Sequence, residues 1–158
     1  MAIPTLRSPT VPSGGLVPEK HTSKGEGISP ALEWRRIPNG HLYMTTIVRS
    51  WSLSGVDECV HLLVYDAFEF LGGLAENIAA NGSWTLGYNS TGAVGYLPFG
   101  RKEPRRAQFE VFASKTSTGL DGPTSWEDIE RHLKKQEAVG PFGFEAFDAA
   151  LPELMAGR

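Results

Sequence analysis

A single cysteine, Cys59, is all this chain carries. It rules out an intramolecular disulfide and any cysteine-cluster zinc site, and it suits a reducing compartment. No apolar run approaches the roughly 18 residues that a membrane-spanning helix needs. The opening MAIPTLRSPTVPSGG lacks an apolar core of signal-peptide length. A cytoplasmic protein with no membrane span is therefore expected. There is also no long Lys/Arg block, and the formal charge is -3, so the electrostatic footprint of a nucleic-acid partner is missing. No His/Cys/Asp/Glu cluster has metal-ligand spacing, because Asp57 and Glu58 have only His61 near them. Neither metal nor cofactor is expected.

What is present points to strands. With 158 residues, 41% of them apolar, the chain can bury one good core. Its 18 glycines and 11 prolines fall mostly between apolar runs, as in a fold of strands joined by shaped loops. Residues 1–15, rich in Pro, Ser, Thr and Gly, read as a mobile lead-in, and residues 16–158 as a single domain. Leu32–Trp34, Leu42–Val48 and Gln108–Ser114 read as strands. Val60–Ala67 is nearly continuously apolar and reads as a central strand covered on both faces. Two helices are expected near the C-terminus. One spans Ser125–Gln136, with Ser125 and Asp128 forming a near capping box, and the other runs about Phe144–Leu154, from apolar residues at helical spacing.

The segment Lys24–Gly40, KGEGISPALEWRRIPNG, sets a proline near each end of a stiff stretch around Trp34. Pro30 holds Ser29 extended and Trp34 offers a large apolar anchor, so the segment reads as framework rather than lining. Together with Val17-Pro18-Glu19-Lys20-His21-Thr22 it resembles the N-terminal signature of the phosphatidylethanolamine-binding protein family. The likeness continues in order through Val60-His61-Leu62-Leu63-Val64-Tyr65-Asp66, Gly87 to Pro98 and Phe109-Glu110-Val111-Phe112-Ala113. It covers about residues 15–140. This resemblance implies a mainly β, two-sheet sandwich with short C-terminal helices and a small anion pocket built from loops at one end.

The pocket expected from the resemblance departs from the family pattern. The family's Asp-Pro-Asp-x-Pro run is replaced by Val48-Arg49-Ser50-Trp51-Ser52-Leu53-Ser54-Gly55, so neither aspartate is present. His61 holds the strand-histidine position, and Arg105 stands where the family has its loop histidine. Arg49, Ser50, Trp51, Ser52, His61, Tyr96, Pro98, Phe99 and Arg105 are the candidate ligand-binding residues. With acids gone and arginines present, such a pocket offers fork-like donors to carboxylates or phosphates, flanked by flat apolar walls. Each residue also has a structural reading. His61 in an apolar strand serves as a satisfied core histidine, Arg49 as a solvated strand end, and Arg105 as part of the loop charge run Arg101-Lys102-Glu103-Pro104-Arg105-Arg106.

Three functions fit this pattern. The first is a small-ligand-binding protein for an amphipathic or anionic molecule. The second is a cyclase or isomerase of natural-product, polyketide-like biosynthesis using the same pocket, with His61 and Arg105 as its catalytic groups. The third is a modulator of kinases or other signalling proteins that acts by binding a protein partner.

Overall fold

The computed structural model describes residues 3–80, 82–100 and 102–149. Among these residues, seven strands and one α-helix follow in the order β1 (Thr5–Arg7), β2 (Leu32–Arg35), β3 (Tyr43–Ser52), β4 (Cys59–Phe68), β5 (Gly73–Leu74), β6 (Arg105–Ser114), α1 (Trp126–Lys135) and β7 (Val139–Phe147). They form two antiparallel sheets. The smaller has the order β1-β2-β5, and the larger β4-β3-β6-β7.

Period-two alternation sorts the side chains between two cores. Met44 and Val48 of β3 and Phe109, Val111 and Ala113 of β6 meet Leu6, Leu32, Trp34 and Leu74 of the small sheet in the inter-sheet core. Ile47 of β3, with Leu63 and Tyr65 of β4, faces the other way and packs on Trp126, Ile129 and Leu133 of α1. The helix begins as its sequence suggests. Ser125 is the N-cap, its Oγ accepting from the Asp128 amide at 3.3 Å, and Gln136 is the C-cap. The chain then leaves through Glu137 at φ 52°, and the Ala138 amide donates to the Leu133 carbonyl at 3.0 Å.

Two expectations are corrected. Val60–Ala67 lies in β4, which is buried on both faces but sits at the edge of the four-stranded order. Its free side meets irregular backbone rather than a strand: the Gly87 amide donates to the Leu63 carbonyl at 2.9 Å, the Ser90 amide to Val60 at 3.0 Å and the Leu97 amide to His61 at 2.7 Å. The apolar run signalled coverage by α1 and the second sheet, not two flanking strands. Phe144–Phe147 belongs to β7 rather than to a helix. Phe142, Phe144 and Ala146 recur every second residue toward the inter-sheet core, and Phe144 stacks on Phe109 across the ladder at 4.8 Å and 4°. Gly143 lets the Phe109 carbonyl approach too closely for any Cβ. The rest of that expected helix, from Ala150 to Leu154, lies outside the described residues. Near the start of the chain β1 pairs with β2, and Leu6 and Val11 are buried.

The stretch just after β1 is also fastened to the far end of the chain. The Gly14 amide donates to the Glu145 carbonyl at 2.6 Å, the Phe147 amide to Gly15 at 2.9 Å, and the Val17 amide to Phe147 at 2.9 Å.

Candidate functional site

His61 reaches its position through an irregularity in the sheet. Between the pairs Val48↔Leu62 and Arg49↔Val60 the register shifts, leaving His61 as the extra residue of a β-bulge. Such a bulge re-aims a side chain. Strict alternation would turn His61 with Leu63 toward α1; instead it stacks on Phe99 of the inter-sheet core, ring centroids 3.9 Å apart.

The imidazole is held at both nitrogens. Its Nδ1 lies 2.7 Å from the Leu97 carbonyl, which can only accept, so the proton sits on Nδ1. Nε2 is therefore the acceptor for the Ser50 hydroxyl at 2.7 Å. Ser50 Oγ in turn accepts from Arg105 Nε at 3.0 Å. Arg105 Nη2 also donates to the Ser50 carbonyl at 3.1 Å and to the Asp57 carbonyl. Burial, opposed only in part by the bond to Leu97 and reinforced by the nearby Arg105 charge, lowers the His61 pKa to about 4. At neutral pH the ring is uncharged and its acceptor is committed.

Ser50 beside a histidine has the spacing of a nucleophile and its base. It is 0% exposed, however, and a backbone carbonyl rather than a carboxylate orients the imidazole. The trio is thus a closed positioning network that ends at Arg105, which is partly exposed. Of five guanidinium N–H groups, three are used on Ser50 and Asp57, which leaves Nη1 with two. Among the described residues, no carboxylate pairs with Arg105.

The nine residues expected to share one pocket are divided by β3. Ser50, His61, Phe99 and Arg105 converge. Tyr96 joins them from the side, 6.4 Å from Phe99, but its hydroxyl is spent on the His21 carbonyl at 2.6 Å. Burial raises the pKa of that phenol. Pro98, half-buried, lies beside Gly27 and joins the 95–100 loop to the opening framework. Ser52 closes the turn after β3, donating to the Val56 carbonyl at 3.1 Å. Arg49 and Trp51 point to the opposite face. There the Arg49 guanidinium lies 5.1 Å from the ring centres of both Trp51 and Trp126, with Glu110 at 2.9 Å and Glu58 at 3.3 Å.

Backbone groups supply much of the site, and side-chain motifs could not announce them: the carbonyls of Leu97, Ser50 and Asp57. A second buried histidine, His21, also contributes without a motif that announces it. Its Nδ1 donates to Ile28 at 2.8 Å, and its Nε2 accepts from the Thr10 hydroxyl at 2.9 Å. Burial lowers its pKa as well. The bridge between Thr22 and Phe99, with Ser23 N donating to the Phe99 carbonyl at 2.8 Å, makes His21 part of the frame behind the Phe99 ring. The cavities elsewhere include one of about 580 Å³ beside β2 and β5, lined by Trp34 and Trp84, and one of about 440 Å³ between α1 and the Arg49 face.

Comparison with known proteins agrees with this architecture. The phosphatidylethanolamine-binding protein family model matches residues 7–141. A UPF0098 protein of Methanothermobacter thermautotrophicus is 28% identical over 120 residues, covering 73% of this chain and 79% of its own. Among solved structures, a phosphatidylethanolamine-binding protein homologue from Chlamydia trachomatis superposes with a TM-score of 0.81 at 21% identity, covering 91% of this chain and 95% of its own. Escherichia coli YbcL, a member of the mammalian family, superposes with a TM-score of 0.78 at 18% identity, covering 95% and 100%.

Proposed function

We propose, since this chain belongs to the phosphatidylethanolamine-binding protein family, that it is a small-ligand-binding protein whose ligand presents a carboxylate or phosphate to Arg105. The observation that carries this reading is the state of that guanidinium. It is fixed by one hydroxyl and two carbonyls, no described carboxylate forms an ion pair with it, and Nη1 keeps two donors for an anion. His61 acts as a positioning residue. Neutral at physiological pH, it holds Ser50, and Ser50 holds Arg105. The partly exposed Tyr96, Leu97 and Pro98 flank the charge with apolar surface, which favours an amphipathic anion over a bare one.

Calorimetric titration with decanoate, acetate and inorganic phosphate tests this. Decanoate should bind more tightly than acetate or phosphate. Arg105→Met should weaken decanoate ten- to a hundred-fold, about what one charge-assisted donor is worth. Arg106→Met, on an exposed side chain whose nearest acid is Glu145 at 3.5 Å, should change affinity little. Absence of heat with every anion, or equal losses in the two variants, would sink the proposal.

A further inference from the structure

On the other side of β3, away from Ser50 and His61, lies the cavity of about 440 Å³ between α1 and the large sheet. Phe112, Trp126 and Pro141 wall it with flat apolar surface, and Arg49 reaches it from β3. The Phe112 and Trp126 rings are 5.7 Å apart. Arg49 is unusual there. Its terminal nitrogens are paired with Glu58 and Glu110, and its guanidinium is caged by two indoles, yet Nε is buried with no acceptor among the described residues. Nε is closed off from solvent and so from a ligand as well, but Nη1 and Nη2 each spend one of their two N–H groups on a carboxylate and keep the other.

We infer that this cavity is a second ligand site, for an uncharged planar heteroaromatic molecule whose carbonyl or ring nitrogen accepts from the Arg49 guanidinium. The volume falls in the range of small-molecule pockets. The walls favour a flat ring, since aromatic partners gain from stacked or edge contacts. Charge decides against an anion: the Arg49 cation already faces two carboxylates, and Glu130 and Glu137 outnumber Lys134 around the opening. This site is independent of the Arg105 reading, because β3 separates the two.

The test uses 2-quinolone as probe, with naphthalene, which lacks the acceptor, and 2-naphthoate, which is anionic. Amide and indole resonances of the full chain are followed by NMR. 2-Quinolone should shift the Trp126 and Trp51 indole N–H signals and the amides of Phe112 and residues 133–138 saturably, leaving Trp34 and Trp84 in place. Naphthalene and 2-naphthoate should each bind about ten-fold more weakly. Arg49→Met should bring 2-quinolone down to the naphthalene level. If that variant fails to fold, with Glu58 and Glu110 stripped of their partner, Ala138→Leu serves instead by filling the cavity and should abolish the shifts. Arg105→Met should leave them intact. No saturable shift at these positions, binding that survives Ala138→Leu, or 2-naphthoate binding as well as 2-quinolone would overturn the inference.

Discussion

Acidification should destabilise this protein through His61. In the folded chain the ring is 3% exposed, donates to Leu97 and accepts from Ser50, and its pKa falls to about 4 against an ordinary 6.5. The unfolded chain therefore takes up a proton that the folded chain refuses anywhere between those two values. Stability linked to His61 is complete above pH 6.5, is lost as the pH falls through the window, and stops changing below about 4. At pH 5 the unfolded state lies about 1.5 units below its own pKa while the folded ring is still neutral. At about 1.36 kcal/mol per unit this costs ~2 kcal/mol. With a urea slope of about 2 kcal/mol per molar, the unfolding midpoint should drop by about 1 M between pH 7.5 and pH 5. His21, depressed by burial in the same direction, adds to the loss. The assay is a pair of urea titrations on the native sequence and on His61→Gln, which removes the titrating group. The variant starts less stable, but its midpoint should move about 1 M less across that pH range. Parallel pH dependences, or a native His61 Hε1 resonance titrating near pH 6.5, would refute the reasoning.

Other outcomes follow from single contacts. Ser125→Ala removes the acceptor of the Asp128 amide at the start of α1 and should lower the free energy of urea unfolding by about 1 kcal/mol. A Cβ on Gly87 would stand 2.5 Å from Leu63 Cδ2 and 2.7 Å from the Thr124 carbonyl. Gly87→Ala should therefore cost about 1 to 3 kcal/mol by the same measurement, and a neutral result would mean that the loop beside β4 gives way easily. Phosphoethanolamine should bind more weakly here than to a relative that keeps the Asp-Pro-Asp run, since Ser50 and Ser52 offer its ammonium no carboxylate. Micromolar affinity by calorimetry would contradict this.

The strands and the capped helix were legible because their signals are local. β-Branched and aromatic runs, and a serine three residues ahead of an aspartate, carry their structure within a few residues. The last strand is ambiguous in sequence because Phe144 and Phe147 satisfy a helical spacing while Phe142, Phe144 and Ala146 satisfy a period of two, and only the Phe109 ladder decides between them. The candidate site was half legible. The sequence marks Ser50, His61 and Arg105, but it groups Arg49 and Trp51 with them although alternation along β3 turns these two away. The bulge that brings His61 to the Ser50 side depends on a one-residue mismatch between two strands, which neither strand reveals alone. The carbonyls that hold His61 and Arg105 have no side-chain signature at all.

The fastening of residues 14–17 to residues 145–147 bears on how the chain reaches this form. Tyr43 pairs with Ser114 and Ser52 with Arg105, so the middle of the large sheet already joins distant segments, and the Val17 to Phe147 bond encloses nearly all of them in one loop. Each closure must be paid for in chain entropy before its contacts return anything. Folding should consequently run in milliseconds to seconds, as in other β proteins with largely non-local pairing, rather than in microseconds. During synthesis β3 and β4 emerge long before β6 and β7. The face of β3 and β4 that packs on α1 waits uncovered until Lys135 has left the ribosome, and this interval exposes the chain to aggregation.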